Sequence, residues 1–285
     1  MPCDMTQKPV IIVTGAEGQL AQALKNQEFD AEMLFFTKTE FDLSDFDHME
    51  KVFINYRPVL IINTAAYTKV DEAETNRDAA SKVNTAGVGL LAALCYVYQC
   101  KLIHISTDYV FDGDKQSPYK EDDKTNPKTV YGWTKYFGEN MILSSQLPVF
   151  AIIRTSWLYS QYGHNFYKTM LRLAETKSEL KVVNDQTGCP TNANDLAAAI
   201  VKVAFQLNQE NSGIYHYCNE GETTWYGFAK AIFEKHKLPV TITPLSSSEF
   251  PTAAKRPRYS VLDSSKIKST FKLEIPSWKT ALRTL

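Results

Sequence analysis

Pro9 to Thr14 reads PVIIVT, an unbroken apolar run of the kind that forms a strand buried on both faces. Gly15-Ala16-Glu17-Gly18-Gln19-Leu20-Ala21 follows at once. In this order of strand, turn and helix, Gly15 permits a tight turn and Gly18 lets a pyrophosphate approach backbone amides, while Ala21 lets the helix pack closely on the strand. Such a beginning points to a dinucleotide-binding turn at the carboxyl end of a buried strand. The spacing G-x-x-G-x-x-A departs from G-x-G-x-x-G, so the glycines alone leave open a structural turn without ligand.

The following segments keep to the same plan. Glu32 to Thr37 is a second strand, and Lys38 stands where an acidic residue usually holds the ribose 2′-hydroxyl of NADH. A cation there favours the 2′-phosphate of NADPH, with Glu40 and Asp42 near enough to keep NADH open. Ser44 reads as the N-cap of a helix that runs to Tyr56 and is ended by Pro58. Val59 to Asn63 is a third strand, and the small residues of Thr64-Ala65-Ala66-Tyr67-Thr68 leave its carboxyl end, where a cofactor can pass close. Asp71-Glu72-Ala73-Glu74 reads as a solvated helix start rather than a metal site. A long helix through Tyr98 leads to a fourth strand, Lys101 to Ser106, and Val149 to Ile153 supplies another.

This alternation predicts a doubly wound parallel sheet over residues 1–155. Beyond Arg154 the pattern loosens into aromatic loops and short strands. Residues 156–285 are therefore expected to form mainly a substrate lobe, with the 194–210 helix, capped by Asn194, packing back on the first domain. Thr223 is expected to cap a further helix. Near-neutral charge (net −1) gives no electrostatic footprint for nucleic acid, and 44% apolar with 22% charged residues excludes disorder. Cys3, Cys95, Cys100, Cys189 and Cys218 are scattered, with no C-x-x-C, which points to reduced thiols rather than disulfides or zinc. No signal-peptide run opens the chain and no 18-residue apolar stretch stands out, so a cytoplasmic protein with no membrane contact is expected.

The candidate chemistry centres on Tyr131-Gly132-Trp133-Thr134-Lys135, at the start of a predicted helix through Gln146. A four-residue step returns to the same face, so the phenol and the ammonium can share one pocket as a proton donor with a neighbouring cation. Tyr226 and Lys230 repeat the spacing, so context must decide between them. The context is His104-Ile105-Ser106-Thr107-Asp108-Tyr109-Val110-Phe111, an apolar strand ending in hydroxyls. His104 reads as a core histidine, and Asn84 as either a residue that holds a helix near the site or a plain helix-face residue.

The turn at Gly15, the strand end Ser106 to Gly113 and Tyr131-x-x-x-Lys135 together resemble the extended short-chain dehydrogenase/reductases. Arg154-Thr155-Ser156-Trp157-Leu158-Tyr159, Asp185 to Thr191, and Gly213 to Tyr217 leading to Thr223-Thr224-Trp225 are similar to the dTDP-4-dehydrorhamnose reductase family, over nearly the whole chain from Val10. The resemblance implies an α/β protein: a Rossmann-type doubly wound parallel sheet with a smaller C-terminal α/β substrate lobe. It implies reduction of the 4-keto group of a dTDP-sugar, dTDP-4-dehydro-L-rhamnose, by NADPH or NADH. Tyr131 would then donate the proton, Lys135 would stabilise the phenolate and bind the nicotinamide ribose, and Thr107 would hold the carbonyl oxygen. Asp108 and Trp157 would contact the sugar nucleotide, and Gly18, Gln19, Leu20, Asp42, Leu43, Ala66, Tyr67 and Thr68 would line the cofactor. Arg256 is a candidate for the diphosphate or a solvated loop arginine. Some relatives use glutamates near the C-terminus in a magnesium-linked dimer. Ile275 to Leu285 carries no carboxylate side chain, so no metal is carried over, and a homodimer stays open. Two other readings stand beside the enzyme: a non-catalytic subunit similar to the regulatory subunit of methionine adenosyltransferase, and a sugar-nucleotide epimerase or dehydratase. A dehydratase would need a second acid where Tyr109 follows Asp108.

Overall fold

The computed structural model describes residues 8–285, so Cys3 and the N-terminal segment read for a signal peptide lie outside the described residues. In chain order the first half gives β1 (Val10–Thr14), α1 (Gln19–Leu24), β2 (Glu32–Phe36), α2 (Phe46–Tyr56), β3 (Leu60–Asn63), α3 (Val70–Ala73), α4 (Arg77–Ser81), a π-wound turn (Lys82–Gly87), α5 (Val88–Val97), β4 (Lys101–Thr107), α6 (Val130–Ser144) and β5 (Phe150–Thr155). The second half gives β6 (Leu158–Tyr159), α7 (Phe166–Ala174), β7 (Glu179–Val183), β8 (Thr187–Gly188), β9 (Thr191–Asn192), α8 (Ala193–Gln206), β10 (Gly213–His216), β11 (Thr223–Thr224), α9 (Trp225–His236), β12 (Thr241–Leu245), α10 (Ser265–Phe271) and α11 (Trp278–Thr284).

Six parallel strands form the central sheet in the order β10-β5-β4-β3-β1-β2. The alternation of strand side chains explains why its strands read as continuous apolar runs. Ile11, Val13, Leu60, Ile62 and Ile103 enter a core with α1, α8 and α10 on one face, whereas Ile12, Ile61 and Leu102 enter a core with α2 and α5 on the other. The chain runs from β1 outward to β2 and then returns to β3 on the opposite side of β1. Their carboxyl ends, Thr14 and Asn63, therefore flank the topological switch point, where open sheets of this kind bind ligands.

The second half divides its labour. Strand β10 pairs with β5, and α8 packs against α1, so both belong to the central layer. A separate core of Tyr159, Met170, Phe228, Ile232 and Trp278 gathers α7, α9 and α11 over the β7–β12 pair. This is the lobe that faces the carboxyl edge.

Helix starts differ from the expected caps by one or two residues, each because a neighbour competes. Ser44 gives both its amide and its hydroxyl to Asp42 at 2.8 Å, and Asp45 caps α2 by accepting from His48 N. Asn192, not Asn194, caps α8, and Thr224, not Thr223, caps α9. Arg77–Val97 is one continuous helix, and by length and composition alone it passes for a membrane span, which corrects the reading that no such stretch occurs. Leu91, Ala92 and Cys95 of that helix are buried in the core of the sheet. Cys95, Cys100, Cys189 and Cys218 are buried free thiols.

Candidate active site

Helix α6 is brought hard against the end of β4. Thr129 caps it by accepting from Gly132 N at 3.0 Å. At Gly132 an added Cβ would stand 2.3 Å from the Tyr109 carbonyl, so only glycine lets the helix approach the turn that follows β4. Tyr131 and Lys135 are thereby placed beside Thr107 and Asp108. These four residues line one cleft of about 770 Å³ together with Gly18, Gln19, Leu20, Trp157 and Arg256. A second cleft of about 320 Å³ is lined by Gly15, Gly18, Lys38, Asp42, Leu43, Ala65, Ala66, Tyr67 and Thr68. Glu17, Gly18, Thr64, Ala66 and Thr68 border both. The residues expected to bind cofactor or substrate, from Gly15 to Arg256, thus line these two adjoining clefts at the switch point, whereas Asn84 and His104 do not. The repeat at Tyr226 and Lys230 does not, since Lys230 sits on the exposed face of α9 beside Glu234.

The groove fits an elongated dinucleotide. Gly15 adopts φ +70°, and an added Cβ would press on the Ala65 backbone at 3.0 Å, so the turn passes close to the β3 loop only because the residue is glycine. The first bond of α1 runs from Gln22 N to Gly18 O, which leaves the amides of Gln19, Leu20 and Ala21 without an intrahelical acceptor. Near Lys38 the acids are already engaged: Glu40 turns back to Thr37, and Asp42 takes Ser44. Among the described residues Lys38 is in no ion pair, which suits a phosphate better than a bare ribose hydroxyl. Asn84, in the π-wound turn, accepts from Tyr67 N at 2.8 Å and donates to Tyr67 O and to Thr134 of α6 at 3.1 Å. It fastens the β3 loop to the Tyr131 helix.

Electrostatics around the pair are set mainly by burial. Burial pushes the Tyr131 phenol up to about 12, with the Thr107 hydroxyl acting against the rise and Asp108 adding to it. Burial pushes Lys135 down to about 8, and Glu139 works in the opposite sense. Tyr131 is therefore protonated at neutral pH, ready to donate. Asp108 is raised to about 6 by burial; Thr107 donates to its Oδ1 at 3.0 Å, and its Oδ2 has no hydrogen-bond partner among the described residues.

Trp157 forms the lobe side of the cleft in a left-handed conformation, φ +46°, and stacks on Trp225 with centroids 3.5 Å apart. Gln186 fixes Trp225 by accepting from Nε1 at 3.2 Å. Arg256 is brought to the cleft but is paired there: Asp71 holds it through Nη2 at 2.6 Å and Nη1 at 3.2 Å. The acidic run opens α3, with Asp71 and Glu72 in its first turn, and it also makes built contacts, since Glu74 accepts from Val130 N at the head of α6. Gln19 lines the cleft and its side chain also bridges to the lobe. Its amide donates to Leu158 O and accepts from Ser160 Oγ and Asn165 Nδ2, which ties the dinucleotide turn to the lobe.

Three supporting groups escape sequence reasoning. Lys135 Nζ lies 3.1 Å from His104 Nε2 and donates to Ile105 O at 2.7 Å. Glu139, one turn beyond Lys135, forms a bidentate pair with buried Arg154, at 2.9 and 2.7 Å, and accepts from Ser106 Oγ at 2.5 Å. The only signal of Glu139 in the sequence is its four-residue step from Lys135, and Arg154 gives none that identifies its partner.

Known proteins resemble this arrangement across its whole length. A family model described as the RmlD substrate binding domain matches residues 9–285. The dTDP-4-dehydrorhamnose reductase of Sinorhizobium fredii is 41% identical, covering 96% of this chain and 96% of that protein. The spore coat polysaccharide biosynthesis protein SpsK of Bacillus subtilis is 41% identical over 96% of this chain and 95% of its own length. Among solved structures, the dTDP-4-dehydrorhamnose reductase of Bacillus anthracis, in complex with NADP, superposes with a TM-score of 0.93 at 38% identity, covering 98% of each chain.

Proposed function

Because the chain belongs to the RmlD substrate-binding family, we propose that it reduces the 4-keto group of dTDP-4-dehydro-L-rhamnose to give dTDP-L-rhamnose, with NADPH or NADH as reductant. It is an oxidoreductase of the dTDP-rhamnose pathway, and the reading as a non-catalytic NADP-binding subunit is not favoured. The observation that carries the proposal is the convergence of Tyr131, Lys135 and Thr107 on one wall of a groove that continues past Gly18 into the dinucleotide cleft.

When bound, the nicotinamide supplies the hydride for the carbonyl carbon. The chain's own residues handle the oxygen. Thr107, whose one hydroxyl proton turns from Asp108 Oδ1 to this oxygen when substrate is bound, fixes its angle, while Tyr131 gives up its proton as negative charge develops there. Lys135, one turn away, offsets the phenolate that results. Trp157, held flat by Trp225, forms the apolar wall against which the deoxysugar lies, and Asp108 receives a sugar hydroxyl at its free oxygen. Gly15, Gly18, Gln19, Leu20, Asp42, Leu43 and Ala65 to Thr68 hold the dinucleotide, Lys38 its 2′-phosphate, and the Gln19 side chain also ties this turn to the lobe. In this division residues 1–155, with α8 and β10, carry the cofactor and the groups that act on the carbonyl, and the remainder closes over the sugar nucleotide. Four described cysteines that stay unpaired support a reducing, cytosolic setting.

Tyr131→Phe tests the assignment. Loss of the proton donor lowers turnover by about 10²- to 10⁴-fold, while NADPH affinity measured by fluorescence titration changes little. Equal turnover in the two proteins would remove Tyr131 from the mechanism.

A further inference from the structure

Three strands carry a polar residue at the same level of the sheet. Thr14 of β1 is in register with Asn63 of β3, and Asn63 with His104 of β4. Thr14 Oγ1 lies 2.6 Å from Asn63 Oδ1, Asn63 Nδ2 lies 2.9 Å from His104 Nδ1, and His104 Nε2 lies 3.1 Å from Lys135 Nζ. Thr14, Asn63 and His104 have no solvent exposure, and Lys135 has 1%. At its far end the row reaches the cofactor groove, where Ala65 N donates to Thr14 Oγ1 at 3.3 Å. A buried polar row of this kind in an otherwise apolar sheet needs every donor matched to an acceptor.

We propose that His104 is a positioning residue which, backed by Asn63 and Thr14, holds Lys135 at the cleft as an ammonium. The proposal rests on the reading of Lys135 given above. Burial and the neighbouring Lys135 charge hold the imidazole far below its ordinary pKa, so the ring is neutral and has one donor and one acceptor nitrogen. With Asn63 Nδ2 facing Nδ1, the ring proton sits on Nε2 and Lys135 must receive it as a neutral amine. Turning the Asn63 amide over keeps the same heavy-atom spacings, puts the ring proton on Nδ1 and frees Nε2 to accept from the ammonium. The hydroxyl of Thr14 serves either setting, as acceptor or as donor. The row therefore has one setting for each charge state of Lys135, and the charged setting is the one catalysis uses.

Other groups bear on Lys135 as well: Glu139 and Tyr131 on its own helix, Asp108 in the turn after β4, and Arg154 of β5, which is bound up with Glu139. From the π-wound turn, Asn84 and Thr85 reach α6 at Thr134 and bring no charge. Of these, only His104 gives the ammonium a side-chain acceptor within hydrogen-bonding distance among the described residues; the Ile105 carbonyl is its other acceptor.

The pH dependence of turnover tests this on the intact protein with NADPH and the 4-keto sugar. In His104→Leu the alkaline limb moves about one pH unit to the acid side, a roughly tenfold loss at pH 9 with little change at pH 6. His104→Gln, which retains an acceptor, restores the limb. A turnover lowered by one factor at every pH, with the limb unmoved, overturns the proposal. Lys135→Arg separates the two readings, because a guanidinium keeps its charge and abolishes the limb. A limb that persists there overturns the role of Lys135 itself. Should His104→Leu not fold, the ¹⁵N shifts of His104 in the unaltered protein decide: a proton on Nδ1 at pH 7 supports the proposal, and a proton on Nε2 overturns it.

Discussion

Replacing Glu139 by alanine would expose how much of the site depends on one buried ion pair. Glu139 and Arg154 have 1% and 2% side-chain exposure, and their two bonds of 2.9 and 2.7 Å are reinforced by Ser106. Arg154 also lies over the Phe111 ring, 5.1 Å from its centroid. With Glu139 gone, the guanidinium stays buried with no carboxylate, and the loss of a single partner from such a pair costs about 3–5 kcal/mol. The lower figure is a roughly 150-fold fall in the folded-to-unfolded ratio. Urea unfolding followed by tryptophan fluorescence reads this as a lower midpoint with an unchanged slope, because the same surface is exposed on unfolding. The double replacement Glu139→Leu with Arg154→Met should recover most of the loss, since the penalty lies in the unpaired charge rather than in the missing bond. A single-variant loss below about 1 kcal/mol would refute the reasoning and mean that water reaches Arg154.

Two other perturbations have signs that follow from the geometry. Lys38→Glu should lower the preference for NADPH over NADH by about ten- to a hundredfold, because one charge at this position attracts a 2′-phosphate and the other repels it; equal preference ratios for the two proteins would place the phosphate elsewhere. Lys135→Met should give an inactive but more stable protein. Lys135 titrates near 8 when folded, against an unfolded value near 10.4, so between those values the unfolded chain binds the extra proton and stability rises with pH. Below pH 8 the depressed ammonium costs on the order of 3 kcal/mol. Thermal unfolding of Lys135→Met without cofactor should therefore show a gain at pH 7 that shrinks towards pH 10, and a loss at pH 7 would contradict it.

What could be read from the residues was whatever local chemistry dictates alone. PVIIVT had to be a strand buried on both faces, and Gly15 had to take a conformation that only glycine adopts freely. The groove-lining residues followed because each sits at a strand end or at the head of α6. The supporting groups could not be read in this way, because their partners come from distant strands. His104 looks like any core histidine until β4 is set beside β3 and α6. Arg256 could be assigned to the loop but not to Asp71, which is 185 positions away. Caps were misplaced by one or two residues at Ser44, Asn194 and Thr223, where several short polar side chains compete and only the backbone angle decides between them. Trp225 was visible in a motif, yet its stacking on Trp157 depends on a backbone turn at Trp157 that no side-chain pattern announces.

The central claim concerns one atom of one substrate. NADPH carrying deuterium at the transferable position, mixed with the protein and dTDP-4-dehydro-L-rhamnose made in place by the preceding enzymes, should give dTDP-L-rhamnose with deuterium at C4, seen by mass spectrometry and NMR. Bound but unoxidised cofactor, or a product with deuterium at any other carbon, would contradict the account.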